Sequence, residues 1–388
     1  MDNLQIKVIG CEERLDNTEL DALVSAVNIQ HKTRYLQTLA RNLENDFSGY
    51  FVVATNLGEV VGWTFIFIDG RFSFEGLLSG MAAKIYKRFP FTFKTAFISS
   101  PVAEYNMIHI KEKYRSRESL VVDKMMDDLL KFLKSERVEL VVVKDHIIQY
   151  TSEYLRKKFT HLHFMPGTFV DLESIHGGCT CFDDYLLNLK KSWRANIRNK
   201  INRRKSDLTL EVIDAASLSA QQCQRCHELY FQTREKQNLK HECLSPSYFC
   251  ECGKELGQRC KMLIAKRGEA IIGFAQLLEN EDSVINVRMG MDYNYSREYN
   301  LYFHLLYENI SYCIRTKKKR LYTSQTCYRP KLEVGAKLLP LHTYICFTNP
   351  ILQQIFGKII ASNCRCYSEL IQAENPAEIL SKYNLSSY

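Results

Sequence analysis

Two distant stretches of the chain share one pattern of apolar and polar positions. YFVVATNLGEVVGWTFIFI (50–68) and KMLIAKRGEAIIGFAQLLE (261–279) each read as an apolar run, a polar turn ending in Gly-Glu, and a second apolar run. That is the signature of a hairpin closed by a Gly-containing turn. Each second run carries a Gly before an aromatic, Gly62-Trp63 and Gly273-Phe274. Gly inside a strand predicts a bulge or a close backbone approach.

The flanking patterns repeat as well. TELDALVSAVN and TRYLQTLARNL have helical spacing before the first hairpin, and residues 183–206 and 218–237 have it before the second. After the first hairpin come a helix (GLLSGMAAKIYKRF), a strand (KTAFISS), an amphipathic helix (ESLVVDKMMDDLLKFLKSE) and a strand (VELVVVKD). After the second come a strand (SVINVRMGMD), a helix (LYFHLLYENISYCIRT) and a strand (KRLYTSQT). The expected class is α/β in the α+β sense, with two tandem domains that each have a mixed central sheet covered by helices. Pro166, Gly167, Gly177 and Gly178 punctuate HFMPGTFVDLESIHGG, where the boundary is expected. The expected domains are 1–166, 167–350 and a helical extension at 351–388. In that extension Ile351, Leu352, Ile355, Phe356, Ile359 and Ile360 form a wide apolar face. It is expected to pack on the second domain, with a membrane surface or a partner as the alternative.

At 388 residues, 46% hydrophobic and 25% charged, the chain has the make-up of a soluble protein with two domains of ordinary size. MDNLQIKVIGCEERLD lacks a basic start followed by an apolar core, and no run approaches the roughly 18 apolar residues of a membrane span. A cytoplasmic location and reduced thiols are therefore expected for the 14 cysteines. CQRCH (223–227) matches the C-x-x-C-H haem pattern, yet Cys226, Leu229, Tyr230 and Thr233 share one helical face, so packing is the expected role. Cys243, Cys250, Cys252 and Cys260 have spacings unlike common zinc-ligand patterns, and no metal site is expected.

Charge adds a local feature. The net +8 is modest, but in YLLNLKKSWRANIRNKINRRK (185–205) eight residues from Lys190 to Lys205 are basic and none of the stretch is acidic. Tyr185, Leu189, Trp193, Ile197 and Ile201 recur every four residues, so a helix docks by this stripe and presents a basic face. Arg194, Arg198 and Arg203 suit phosphate oxygens because a guanidinium binds them bidentately. Coenzyme A or carrier-protein phosphates, tRNA and an anionic membrane all remain open as partners. No helix-turn-helix or zinc-finger context surrounds the segment, so sequence-specific DNA is not expected. RTKKKR (315–320) closes a helix, where cations meet the dipole favourably.

The second half carries a family resemblance. YLLNLKKSWRANIRNKINRRK, GMDYNYSREYNLYFHLLYENISY and SQTCYRPKLEVGAKLLPLHTYI resemble three segments of the duplicated GNAT-fold acyltransferases, which include the Fem-type peptidoglycan-bridge aminoacyltransferases. In the first half SSPVAEYN and VVVKD are similar in character, and the resemblance spans roughly residues 45–350. It implies two parallel strands that splay to admit the donor's acyl arm, with a following helix whose first N–H groups can hold a pyrophosphate. An amine then attacks the donor carbonyl directly, with no protein-bound intermediate.

The resemblance also implies roles for residues. Ser296 as N-cap would start the helix at Arg297. Relatives that bind coenzyme A carry Arg/Gln-x-x-Gly-x-Gly/Ala here, whereas Asn300 and Tyr302 fill both glycine positions in this chain. That favours a carrier-protein thioester, a long acyl-CoA held differently, or an aminoacyl-tRNA. His304, with Glu308 on the same helical face, is the expected general base, and Asp292 and Glu298 are alternatives. Tyr328 would protonate the departing group. Arg194, Arg198, Arg297, Gln325 and Lys331 would bind the donor, and Glu104 and Asp145 would help bind the acceptor. The expected activity is N-acyl or N-aminoacyl transfer to an amine by the second half, with the first half as scaffold or acceptor side. No cofactor is expected to be tightly bound; acyl-CoA, acyl carrier protein or aminoacyl-tRNA would be the co-substrate. Peripheral contact with the inner face of an anionic membrane is a further expectation. The alternative is an inactive GNAT-like module that binds an anionic or phosphorylated partner.

Overall fold

A computed structural model describes residues 3–13, 17–24, 28–44, 46–75, 78, 80–100, 105, 107–147, 153–175, 178–203, 206–237 and 242–382. The first half runs β1 (Leu4–Gly10), α1 (Asn17–Leu23), α2 (Thr33–Asn42), β2 (Phe47–Asn56), β3 (Glu59–Ser73), α3 (Gly80–Arg88), β4 (Thr92–Ile98), β5 (His109–Ile110), α4 (Glu118–Ser135), β6 (Leu140–His146), α5 (Glu153–Lys158) and β7 (Thr160–His163). The second runs β8 (Gly167–Asp171), α6 (Phe182–Leu187), α7 (Lys191–Asn202), β9 (Leu208–Asp214), α8 (Ala220–Lys236), α9 (Ser247–Leu256), β10 (Cys260–Arg267), β11 (Ala270–Glu279), β12 (Ser283–Met291), α10 (Leu301–Arg315), β13 (Arg320–Tyr322), α11 (Tyr328–Glu333) and β14 (Lys337–Leu339). It closes with β15 (His342–Phe347), α12 (Pro350–Asn363), α13 (Arg365–Gln372) and α14 (Pro376–Lys382).

Seven strands of the two sheets match in order, and the first sheet adds β5 beside β3. The first has the order β1-β2-β3-β4-β6-β15-β7, and the second, read from its β9 edge, has β9-β10-β11-β12-β13-β8-β14. In each sheet one parallel pair, β4–β6 or β12–β13, interrupts antiparallel neighbours. The halves also exchange a strand. After β7 the chain crosses at 164–166 and lays β8 between β13 and β14; after β14 it crosses back and lays β15 between β6 and β7.

Both predicted hairpins form, with matching irregularities. Gly62 lies opposite Ala54 and Gly273 opposite Ala265, and in each pair the register slips at the next residue. Only Gly62 has a second constraint. A β-carbon there would stand 2.7 Å from the His109 carbonyl oxygen of β5, whereas at Gly273 the nearest atom is 3.5 Å away.

Burial follows from this layering. The edge strands β1 and β9 alternate in exposure, whereas β3 and β11 are buried along nearly their whole length because both faces are covered. Val121, Met125 and Leu129 of α4 cover one face of the first sheet; Leu301, Leu305 and Ile310 of α10 cover one face of the second. The other two faces share a single cluster. Tyr35, Leu39, Trp63 and Phe65 pack in the same core as Leu229, Tyr248 and Phe274. Each fully buried side chain of this size contributes about 1.5–3 kcal/mol, so the halves support one another. Backbone bonds cross the same seam, from Glu44 N to Cys243 O (2.8 Å) and from Ser245 N to Asn42 O (2.8 Å).

Several expectations change. The cationic stretch forms two helices, α6 and α7, rather than one: the Asn188 amide bonds Asp184 O (3.1 Å) and Arg194 Nη1 bonds Leu187 O (3.1 Å), capping the end of α6. Cys223 of α8 and Cys250 of α9 form a disulfide with Cα atoms 5.8 Å apart, so the thiols are not all reduced. The tail packs on the first sheet instead of the second, because the exchanged β15 carries it there. Phe356 of α12 lies 5.7 Å from Phe93 and 5.6 Å from Phe347, while Ile351 and Ile355 stay exposed. Among the described residues no helix is long and apolar enough to cross a membrane.

Candidate functional site

The parallel pair β12–β13 shares only three paired positions, ending at Ile285 and Tyr322. Beyond them β12 continues to Met291, paired with β11, while the other chain turns away through Ser324, Thr326 and Cys327, all with positive φ. KRLYTSQT is therefore a strand only over Arg320–Tyr322. The gap between these diverging chains is the candidate cleft.

A buried polar network fixes its far wall. Lys331 Nζ donates to the carbonyls of Thr323, Ser324 (3.2 Å) and Gln325 (2.8 Å). Gln325 Nε2 donates to Asp145 Oδ1 (3.1 Å) and Met165 O (2.8 Å). Tyr328, fully buried, donates to Pro166 O (3.0 Å), and Thr168 holds Thr323 and the Ser324 carbonyl. Gln325, Tyr328 and Lys331 lie together at the end of β13, as expected, and Asp145 of the first half, expected on the acceptor side, joins them; their polar atoms hold the positive-φ turn against the inter-sheet crossing. Asp145 itself is buried and ion-paired to Lys144. Glu104 lies outside the described residues.

The near wall is the turn before α10. The helix starts at Leu301, with Asn300 in left-handed conformation as its cap, and not at Arg297. Leu301 N bonds Ser296 O (3.0 Å), while Phe303 N and His304 N bond Asn300 O (3.0 and 3.1 Å). Leu301 N and Phe303 N are among the first-turn donors a pyrophosphate would need, and the protein's own turn engages both, whereas the His304 N bond is the ordinary first bond of the helix. Arg297 and Glu298 are exposed on this turn. Asp292 is ion-paired to Arg225 (2.7 Å) and accepts from Asn294 N (3.0 Å), so it braces the turn. His304 is buried on the first turn of α10, with its ring edge toward Tyr307. Glu308 pairs with Arg315 (2.7 Å). Burial and the nearby Cys327 sulfur push the Tyr302 hydroxyl well above its ordinary pKa, and this contact joins the two walls. Arg225 and Cys327 carry no local signal in the sequence, and Tyr302 shows there only as a residue filling a glycine position.

The basic helix borders this cleft. Ile197 of α7 enters the second-half core, and Lys200 sits 4.2 Å above the Phe303 ring of α10. Asn196 bonds Glu333 of α11 (3.1 Å). Lys191, Arg198 and Arg203 remain exposed on the outer side of this docking surface. Elsewhere, His161, His163 and His342 form a group with metal-ligand spacing, which the sequence reading did not foresee. Burial and the neighbouring imidazoles hold His161 down to about 4.

A FemAB-like family model, described as peptidoglycan biosynthesis/recognition, matches residues 50–375. The chain belongs to the FemAB-like family. Its fold is similar to that of FemX, at 11% identity over 89% of this chain and 99% of FemX, with a TM-score of 0.54. The C-terminal domain of a putative lysylphosphatidylglycerol synthetase from Agrobacterium fabrum is 10% identical over 92% of this chain and 96% of its own, with a TM-score of 0.52. A tandem GNAT protein from the clavulanic acid biosynthesis pathway is 10% identical over 89% and 99%, with a TM-score of 0.50. At these identities the likeness is one of fold. No curated protein matches the chain in sequence. Family and fold together make this a FemAB-like chain with a tandem-GNAT fold.

Proposed function

We propose that this FemAB-like chain transfers an acyl or aminoacyl group from a phosphate-bearing donor to an amine in the second-half cleft. The observation that carries this reading is the docking of the basic α7 against the first turn of α10, where Leu301 N and Phe303 N are already engaged by the preceding turn. The donor is held by side-chain cations rather than by a backbone cradle. That favours a macromolecular donor, aminoacyl-tRNA first and carrier protein second, over short acyl-CoA. In the reaction the amine nitrogen bonds the donor carbonyl carbon, and the carbon–oxygen or carbon–sulfur bond to the carrier breaks. His304 takes the amine proton, and the leaving group gains a proton from solvent or an acid at the cleft. Arg198, Arg203 and Arg297 meet donor phosphates; Gln325, Tyr328, Lys331 and Asp292 position the cleft walls. Within this proposal the first half supplies scaffold and acceptor side over 1–166, and the second half is 167–350 except for β15, which belongs with the 351–388 extension to the first sheet.

A thermal-shift panel with short and long acyl-CoA, acyl carrier protein and aminoacyl-tRNA tests it. Aminoacyl-tRNA should stabilise the protein, and Arg198→Ala/Arg203→Ala should abolish the shift. Removing each phosphate-binding cation should also flatten the salt dependence of log K by roughly 0.7–0.9. Stabilisation by short acyl-CoA that survives in the double variant would overturn the reading.

A further inference from the structure

Three imidazoles converge at the outer edge of the first sheet. Along β7, Thr160-His161-Leu162-His163, strand alternation puts His161 and His163 on one face. The exchanged strand β15 runs antiparallel beside it, with His342 directly opposite His163 and Tyr344 opposite His161. All three rings meet: the centroids of His161 and His163 are 5.2 Å apart, and each lies 5.1 Å from that of His342. One ring nitrogen from each residue lies within 4.8 Å of those of the other two, and all three side chains are half-buried. His161 Nε2 and His342 Nδ1 are 2.9 Å apart, while Nδ1 of His163 is buried without a hydrogen-bond partner.

We propose that His161, His163 and His342 bind one divalent transition metal ion of the zinc class, leaving a fourth position open to solvent or a further ligand. Imidazole nitrogens suit zinc, copper, nickel and iron, and three of them with an open position is a recurrent tetrahedral zinc arrangement. Metal–nitrogen bonds of 2.0–2.1 Å place tetrahedral nitrogens roughly 3.3 Å apart. The His161–His342 pair is already near that separation, and the His163 nitrogen, within 4.8 Å of both, has to close the other two edges. Without metal, the pair's single hydrogen bond leaves the His163 nitrogen unanswered; a metal ion engages all three.

The location gives the ion a role. β7 pairs only with β15, over four positions, and the chain leaves β7 at once for the second sheet. An ion here fastens the strand that returns from the second half to the edge strand of the first. The site therefore locks the strand exchange, independently of the acyl-transfer cleft.

The test uses the full chain, stripped with chelator and titrated with Zn²⁺ or Co²⁺. One equivalent should bind, raising Tm by about 3–5 °C at saturating Zn²⁺. Co²⁺ should give visible bands of tetrahedral intensity without thiolate charge transfer. His161→Gln and His342→Gln should each abolish the metal-dependent shift while the stripped proteins still unfold cooperatively. If either variant is poorly folded, the Co²⁺ spectrum of the wild type decides, because thiolate charge transfer would place the ion on cysteines. That result, absence of stoichiometric binding, or a metal-dependent shift persisting in both variants would overturn the proposal.

Discussion

The two halves have one topology and two different openings. Beside β12, only residues 292–300 separate the strand from α10, which holds that helix's first turn at the strand end. Beside β4, residues 99–117 intervene before α4, and part of that connection lies along β3 as β5, with His109 4.7 Å from Trp63. The chemistry diverges accordingly. Asp145 and His146 at the end of β6 are fully buried, and burial holds His146 down to about 3. The second opening has exposed Arg297 and Glu298, half-buried Cys327 and a basic helix beside it. The two openings thus differ in connection length and not in strand order.

The largest effect should come from His304. His304→Gln is expected to lower turnover by about 10²–10⁴-fold while donor binding holds, as initial rates and direct titration would show. His146→Gln should leave turnover per folded molecule near wild type, and equal losses in both would erase the distinction between the halves. Next is Lys331→Met, which strands three carbonyls and should destabilise the protein by about 2–5 kcal/mol in denaturant unfolding. The repeated glycines sharpen the comparison further. Gly62→Ala should cost about 1–3 kcal/mol because β5 crowds it, and Gly273→Ala should stay within about 1 kcal/mol of wild type.

The hairpins, their bulges, the sheet-covering helices α4 and α10 and the basic segment were legible because each is a local pattern. The strand exchange was not. GTFVD and HTYICF have strand character, but nothing local says that the chain changes sheets just before GTFVD and that HTYICF returns to the first sheet. The late start of α10 was hidden for a related reason: Ser296 is a good cap by composition, yet Asn300 in left-handed conformation sets the boundary. Gln325, Tyr328 and Lys331 were found as neighbours, but their hydrogen bonds depend on Pro166 and Asp145, far away in sequence. H-x-H was visible in FTHLHF, whereas His342 reaches it only through the exchange.

Aminoacyl-tRNA binding by a matched pair of double variants decides whether the second half builds the donor site. Arg198→Ala/Arg203→Ala removes exposed cations beside the second-half cleft, and Lys87→Ala/Arg88→Ala removes an equal charge from exposed positions of α3 in the first half. Only the α7 variant should lose affinity and salt dependence. Equal weakening by both would mean diffuse electrostatic attraction and would contradict a donor site built by the second half.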